Sequence, residues 1–420
     1  MRFIFDIIFV VYALVYFPYV MLQRKWHKDF PQRLGCWPAA LRSAFKQKDN
    51  IWVHAVSVGE VEASLPLIKR IKESFPAYGM ICSTVTPTGY RLARERLQDQ
   101  GLVIYAPLDF SWMTRKLVHL IRPKMYVVVE TEIWPNMFLA LQSRGVPIVL
   151  VNGRISDKAF RNYQKISFLL RRILRGVSHF CMQSSLDARR ILTLGAPQER
   201  VSVVGHLKFD NLPPPAADLP KINFGKDDRL LIAGSTHPGE EEILLKIYKK
   251  LVAEFKTIRL VLAPRHVERT QDVVRLVEDL GFKAVKFSRA ADVRLTADSV
   301  VVVDTIGQLR TLYNWAEVVF VGKSLTVPGG QNIIEPAFYG KPVFVGPHTR
   351  NFRDVVALFL QEQALVQVRD ADELFFALKE FLRDPNPRTQ MGLRAQAVVQ
   401  KYQGATARTI KILSTFLGRE

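Results

Sequence analysis

Apolar residues along this chain fall into short runs, often β-branched, separated by stretches in which they recur every three or four positions. From Asn50 the runs are Ile51–Val56, Met80–Val85, Leu102–Ala106, Met125–Val129, Pro147–Val151, His179–Met182 and Val201–Val204. Helical patterns lie between most of them. Apolar strands joined by helices argue a parallel sheet covered on both faces. The pattern stops at Asn211–Asp227 (NLPPPAADLPKINFGKD), which holds four prolines and no periodicity and reads as a linker. It restarts at Leu230–Ala233, Ile258–Leu262, Ser299–Val303, Val318–Val321, Pro342–Val345 and Ala364–Val368, and turns helical from about Ala371. No sequence repeat links the halves, only the same architecture twice. The expectation is two Rossmann-like, doubly wound α/β domains, 25–210 and 228–420, joined by a linker at 211–227 and facing a cleft. Ligands in such sheets bind at the carboxyl ends of the strands.

Ahead of this body, Phe3–Leu22 is almost wholly apolar, with Asp6 its one charge. At about 1.5 Å per residue such a run just spans a bilayer core. It lacks a small-residue cleavage site, and Arg24, Lys25 and Lys28 follow at once. Residues 1–24 are therefore expected to be a membrane anchor, with the body on the cytoplasmic side. Asp6 and Pro18 leave an interfacial or re-entrant helix as the alternative.

The 420 residues carry a net charge of +20, and 48% are hydrophobic, enough for large cores. That surplus implies an anionic partner: nucleic acid, an acidic membrane surface or a phosphorylated substrate. The basic residues are dispersed, with no zinc-finger spacing, RNP motif or basic arm, so nucleic acid is set aside. Cys36, Cys82 and Cys181 lie far apart and suggest neither a disulfide framework nor a metal site.

Polar residues gather where the strands end. Ser57–Val58–Gly59–Glu60 follows the first run. Glu60 there is either a first-turn residue complementing the helix dipole or a general base. Glu130 and Glu132 follow Val129, and would share one face if the strand continued. Like charges so close raise one pKa or demand a cation between them. Pro135 suits the first position of a helix, so one of the two glutamates also fits a helix start. Lys208 stands just before the linker. In the second half, Gly234–Glu241 is a Gly/Ser/Thr loop leading into a helix, a common phosphate-cradle context. Arg265 and His266, Asp304–Gln308, Gly329–Pro336 and Gly346–His348 follow the next four strands. A helix is expected to open at Asn332, behind the two glycines. One such loop is turn chemistry; five in succession point to a site.

These residues form motifs: SVGE at Ser57–Glu60, TPTG at Thr86–Gly89, ETEIWPN at Glu130–Asn136, NGRIS at Asn152–Ser156, LKFD at Leu207–Asp210, PRH at Pro264–His266 and NxxEP at Asn332–Pro336. Together they resemble the 3-deoxy-D-manno-oct-2-ulosonic acid (Kdo) transferases of lipopolysaccharide synthesis, inverting glycosyltransferases of the GT-B fold. The resemblance runs from the N-terminal apolar segment to about residue 400. It implies CMP-Kdo as donor, a lipid A precursor (lipid IVA) as acceptor, and a place at the cytoplasmic face of the inner membrane, on anionic lipid. It implies Glu60 as general base, with Glu130 and Lys208 stabilising the transition state. It implies that CMP is held by Arg265 and His266, by Ile306, Gly307 and Gln308, and by Asn332, Ile333, Ile334 and Glu335. Ser57, Gly59, Ser235, Thr236, Gly329, Gly330 and Gln331 are further candidate contacts. The family commonly has histidine where Gln331 stands, and GGS where Gly322–Lys323–Ser324 stands.

No carboxylate pair has an evident metal role, so transfer without metal or other cofactor is expected. The departing CMP would be neutralised by Arg265, backbone N–H groups and the helix start at Asn332. The alternatives are another GT-B transferase or epimerase using a UDP-sugar, and a non-enzymatic protein binding anionic membranes.

Overall fold

The computed structural model describes residues 5–7, 10, 30–46, 49–210 and 222–417. The expected anchor, 1–24, lies almost wholly outside them, as does the proline-rich part of the linker. Among the described residues no helix is long and apolar enough to cross a membrane.

Two parallel sheets of seven strands make up the chain. The first holds β1 (Asn50–His54), β2 (Gly79–Thr84), β3 (Leu102–Tyr105), β4 (Pro123–Val129), β5 (Ile148–Gly153), β6 (His179–Met182) and β7 (Val201–Val203), in the order β3-β2-β1-β4-β5-β6-β7. The second holds β8 (Arg229–Thr236), β9 (Ile258–Pro264), β10 (Lys283–Lys286), β11 (Ser299–Val302), β12 (Ala316–Val321), β13 (Val343–Val345) and β14 (Val366–Gln367), in the order β10-β11-β9-β8-β12-β13-β14. All thirteen apolar runs are strands. β10 is the addition. It is an edge strand with two exposed lysines around a single buried Val285, so it lacks the apolar signal that marked the others.

Alternate residues explain the burial on both faces. Trp52, Tyr126, Val128 and Leu150 face one way, against Leu117, Phe138 and Ile173. Ile51, Val53, Val127 and Val129 face the other, against Leu67, Ile71 and Leu413. Cys82 and Cys181 are free, buried thiols of this core, and burial pushes both up to about 12. In each sheet the chain reverses its direction of travel at one place, between β1 and β4 and between β8 and β12. Crevices outside the strand ends at such a switch are where open α/β sheets take ligands.

The division into units differs from the boundary expected. One unit holds residues up to Asn211 and takes back Gln403–Glu420; the other is Leu212–Tyr402. The helix Pro385–Tyr402 ends the second unit and the helix Ala405–Leu417 joins the first. The cause is local. Asp210 accepts the Gly404 N–H at 2.6 Å and also the Thr406 N–H, so one carboxylate caps the returning helix. Arg408 donates to the Val204 carbonyl at 2.9 Å, and Ala405 and Leu413 are buried in the first core. Nothing in 371–420 shows this as sequence, because the partner of the helix start lies 194 residues earlier.

Asp6, the charge within the apolar N-terminal segment, has a defined place. It accepts from the N–H of Ser111 at 2.8 Å, from its hydroxyl at 2.6 Å and from Asn136 Nδ2 at 3.0 Å. The helix Ser111–Ile121 has no cap of its own at Phe110, so Asp6 supplies one from a distance. Beside it Asp109 accepts the N–H groups of Asn136 and Met137, the free amides of the helix Pro135–Gln142.

Candidate functional site

In the first unit, Ser57 is the N-cap of the helix Val58–Ser74. Glu60 folds back over it. One carboxylate oxygen accepts the Val56 N–H at 2.7 Å and the other accepts the Ser57 hydroxyl at 2.8 Å. This variant of a capping box satisfies the turn from both sides, so the dipole-complementing role is real. It does not account for the environment. Glu60 is only 7% exposed, and burial, followed by the nearby Glu130 and Glu132, pushes its carboxyl from the usual 4.5 up to about 8. The helix Pro87–Leu97 abuts this turn because Gly89 has no side chain; a Cβ there would lie 2.8 Å from Thr86 Oγ1 and 3.3 Å from the Ser57 carbonyl carbon. SVGE and TPTG are thus packed neighbours.

Glu130 lies across the switch point, at the end of β4. Its N–H still pairs with Val151, but its φ is +59°, so the strand ends there and the alternation that would put Glu130 and Glu132 on one face does not apply. A non-glycine residue held in this region is strained, and such residues concentrate at functional sites. Glu132 accepts the Trp134 indole N–H at 3.0 Å. Pro135 is the first residue of the following helix, as expected.

Arg154 is tied by its backbone to the same turn. Thr131 accepts the Arg154 N–H at 3.0 Å and donates to its carbonyl at 2.5 Å, tying ETEIWPN to NGRIS. Asn152, also strained at φ +55°, is fully buried, and its side-chain oxygen accepts the Leu207 N–H at 3.1 Å. That bond fixes the turn Leu207–Asp210 carrying Lys208. His206 Nδ1 accepts the Lys208 N–H at 3.2 Å; burial, then the charges of Lys208 and Arg154, push the imidazole down to about 3. Glu60, Glu130 and Lys208 therefore belong to one chain of neighbours at the ends of β1, β4, β5 and β7. Arg154 completes it. It sat within a motif but was not singled out, because a lone arginine after a strand carries no signal of what it faces. Gly59 opens onto free space, with nothing within 4 Å of a Cβ placed there.

In the second unit the residues after β8 and β12 are held by one buried carboxylate. Glu240 is fully buried. Its Oε2 accepts the N–H groups of His237 at 2.9 Å and Lys323 at 2.8 Å, and its Oε1 those of Ser324 and Leu325 at 2.9 Å each. Within the loop Gly234–Glu241, the His237 amide is thus taken by the protein's own anion. Thr236, a candidate contact, is buried and donates to Glu241 at 2.9 Å, while Ser235 turns at φ +55°.

Arg265 follows β9, its N–H paired with the Thr236 carbonyl at 3.0 Å, and His266 lies edge-on to His237, ring centres 6.0 Å apart. The Glu335 side chain is only 12% exposed, and burial raises its carboxyl; Arg310, Asn332 and Arg265 pull it back down. Arg310 donates to it at 2.8 Å. Arg265, Asn332 and Glu335 are thereby neighbours. The helix expected to open at Asn332 starts at Ile334 and is one turn long, Ile334–Phe338, capped by no side chain. Asn332 instead accepts the Ile334 N–H at 3.0 Å and shapes the turn before it. Ile333 and Ile334 are buried, Gln331 is half-buried, and Ile306, 84% exposed, stands beside Gly307 and Gln308. Gly330 donates its N–H to the Lys323 carbonyl, closing the loop 323–330 and placing Gly329 and Gly330 beside Lys323. Among the described residues no group of three or more His, Cys, Asp or Glu side chains could hold a metal ion.

A family model described as 3-deoxy-D-manno-octulosonic-acid transferase (kdotransferase) matches residues 28–211. A 3-deoxy-D-manno-octulosonic acid transferase of Haemophilus influenzae is 32% identical over 376 residues, 88% of this chain and 88% of that one. A bifunctional glycosyltransferase/methyltransferase of Fusobacterium nucleatum is 35% identical over 352 residues, 82% of this chain; the chain spans 54% of that longer protein. Among solved structures, MurG of Acinetobacter baumannii is similar with a TM-score of 0.55 at 13% identity, over 88% of this chain and 99% of that one. That likeness is one of fold: two doubly wound domains of the GT-B type.

Proposed function

The chain belongs to the 3-deoxy-D-manno-octulosonic acid transferase family and is a Kdo glycosyltransferase; from that premise we propose that it moves Kdo from CMP-Kdo to a lipid A precursor with inversion, Glu60 acting as general base. The observation that carries this reading is the state of Glu60. A base works best with a pKa near the operating pH. Burial and two neighbouring carboxylates give Glu60 such a value, at the switch point where ligands are taken. In the proposed step an acceptor hydroxyl attacks the anomeric carbon of Kdo. Its proton passes to Glu60, the bond from that carbon to the phosphoryl oxygen breaks, and CMP leaves with the electron pair. Lys208 and Arg154 supply positive charge beside the reacting groups, and Glu130 shapes and charges the same turn.

The second unit holds CMP in this reading. Arg265 and His266 face the phosphate; Asn332 and Glu335, braced by Arg310, face the nucleoside, with Gly307 and Gln308 at its edge. Neutralisation by these groups makes transfer metal-independent, and a chelator that abolishes it counts against that part. The +20 charge and the apolar N-terminal segment support work at an anionic, cytoplasmic membrane surface, where a phosphorylated lipid acceptor is found. The test is incubation of the full chain with CMP-Kdo and lipid A precursor, with mass spectrometry of the lipid. A product heavier by one or more Kdo residues is expected. An unchanged lipid, or a product formed only from a UDP-sugar, overturns the reading.

A further inference from the structure

Lys323 is held in a conformation that lysine rarely adopts. Its φ is +55°, directly after β12 at the second sheet's switch point. Glycine takes that conformation without strain; a residue with a Cβ does not. The turn is enforced on both sides: Glu240 accepts the Lys323 N–H at 2.8 Å, and the Lys323 carbonyl accepts from Gly330.

The side chain is packed as well. Its stem lies along Gly329, where a Cβ would sit 2.6 Å from Lys323 Cδ and Cε and 2.8 Å from Cγ. Glycine leaves room for the stem where it lies. Its charge is felt at His237 in the loop after β8, and His237 meets His266 from the end of β9. Three basic side chains from three adjacent strand ends therefore share one corner. The one carboxylate there, Glu240, already accepts four N–H groups. Two other cations of this edge have carboxylate partners: Arg269 pairs with Glu241 and Arg310 with Glu335. Among the described residues no carboxylate forms an ion pair with Lys323. A strained, packed lysine with no carboxylate to pair with calls for an anion from outside.

We propose that Lys323 is a donor-binding residue, its ammonium gripping the phosphoryl oxygens of the CMP moiety. This rests on the CMP-sugar reading above. The donor's phosphoryl group and its sugar carboxylate are both anionic. The phosphoryl is assigned because Lys323 shares its corner with His266, next to Arg265, the groups that flank the nucleotide phosphate.

The test is titration calorimetry of the full chain with cytidine, CMP and CMP-Kdo, comparing wild type with Lys323→Met, Lys323→Arg and Lys323→Gly. Lys323→Met should weaken CMP about tenfold or more and leave cytidine unchanged. Lys323→Arg should keep most of the affinity. Lys323→Gly should weaken CMP as the methionine does while raising the melting temperature, since the strain is relieved; a merely structural lysine would not separate these two readouts. CMP binding unchanged in Lys323→Met overturns the inference, and so does a loss seen with CMP-Kdo alone, which would place the carboxylate there. Wild type that binds CMP no better than UDP overturns the donor reading itself. Good wild-type CMP binding kept by Lys323→Met overturns this inference only.

Discussion

Glu240 Oε2 accepts the Lys323 N–H at 2.8 Å, joining two loops 83 residues apart across the switch point of the second sheet. The same carboxylate holds three further amides and has no exposure. Replacing it with glutamine turns one acceptor oxygen into an NH2 donor facing amide donors. Glu240→Gln should lose roughly 3 kcal/mol of stability, the scale for orphaning buried hydrogen-bonding groups. Denaturant unfolding checks it, and a variant as stable as wild type would show that the carboxylate is dispensable. Nucleotide binding should weaken as well, because Lys323 loses its fixed backbone.

Glu60 serves two purposes that two substitutions separate. Glu60→Gln keeps an acceptor for the Val56 N–H, so the fold should persist while transfer falls by at least a hundredfold, the usual scale for a lost general base. Glu60→Ala also removes the acceptor of the Val56 N–H and the Ser57 hydroxyl and should cost about 1 kcal/mol in addition. Full transfer by either purified variant sinks the proposed role.

The same residue sets a pH dependence. Its folded pKa, about 8, lies above the usual 4.5, so the folded chain keeps a proton that the unfolded chain has released. Glu60's contribution to stability is complete below 4.5 and is lost as pH rises through 8. Glu60→Gln carries no such proton, so its melting temperature should gain on wild type across that window. Activity runs the opposite way, since a base must be deprotonated: kcat/KM should rise with pH and level off above about 8. A flat profile from pH 6 to 9 would remove Glu60 as the group that titrates.

Both sheets were legible in the sequence because buried parallel strands are unbroken apolar runs; Ile51–Val56 and Met125–Val129 could be nothing else. The candidates at their ends were legible for the same reason, since a carboxylate such as Glu130 directly after Val129 has no packing explanation. Three things were hidden. Edge strand β10 has too little buried surface to leave a pattern. Glu240 stood unremarked at the end of a Gly/Ser/Thr loop, since sequence does not show that amides from residues 323–325 converge on it. The return of the helix Ala405–Leu417 depends on Asp210, a contact between residues 194 apart. In the last two cases what decides the structure is a long-range partner, not local propensity.

That return gives its own prediction. Asp210 caps the last helix with bonds to Gly404 and Thr406. Asp210→Ala removes both acceptors at once and should cost about 1–2 kcal/mol, the upper range for a helix cap. The loss should be local. Amide exchange should quicken in 404–417, while β8–β14 keep their protection. Uniform acceleration through both units would show that the helix is not a separate element of stability.

The last prediction concerns the imidazoles beneath the first cluster. His206 accepts the Lys208 N–H through Nδ1, which requires that nitrogen to be unprotonated. Burial, then Lys208 and Arg154, hold the ring down at about 3, and His54, buried against Trp134 and bonded to Ser83, is held at about 4. Both should stay neutral across the physiological range, so nitrogen-detected NMR should show two imidazoles that do not titrate above pH 5. Arg154→Met removes one of the charges opposing protonation, so the His206 pKa should rise, though burial, the larger cause, keeps it below the usual 6.5. Protonation would break the bond to Lys208 and loosen the turn Leu207–Asp210. Transfer should therefore fall off at acid pH more steeply in Arg154→Met than in wild type. A His206 resonance that titrates near 6.5 in wild type would show that the imidazole is not the acceptor holding Lys208 in place.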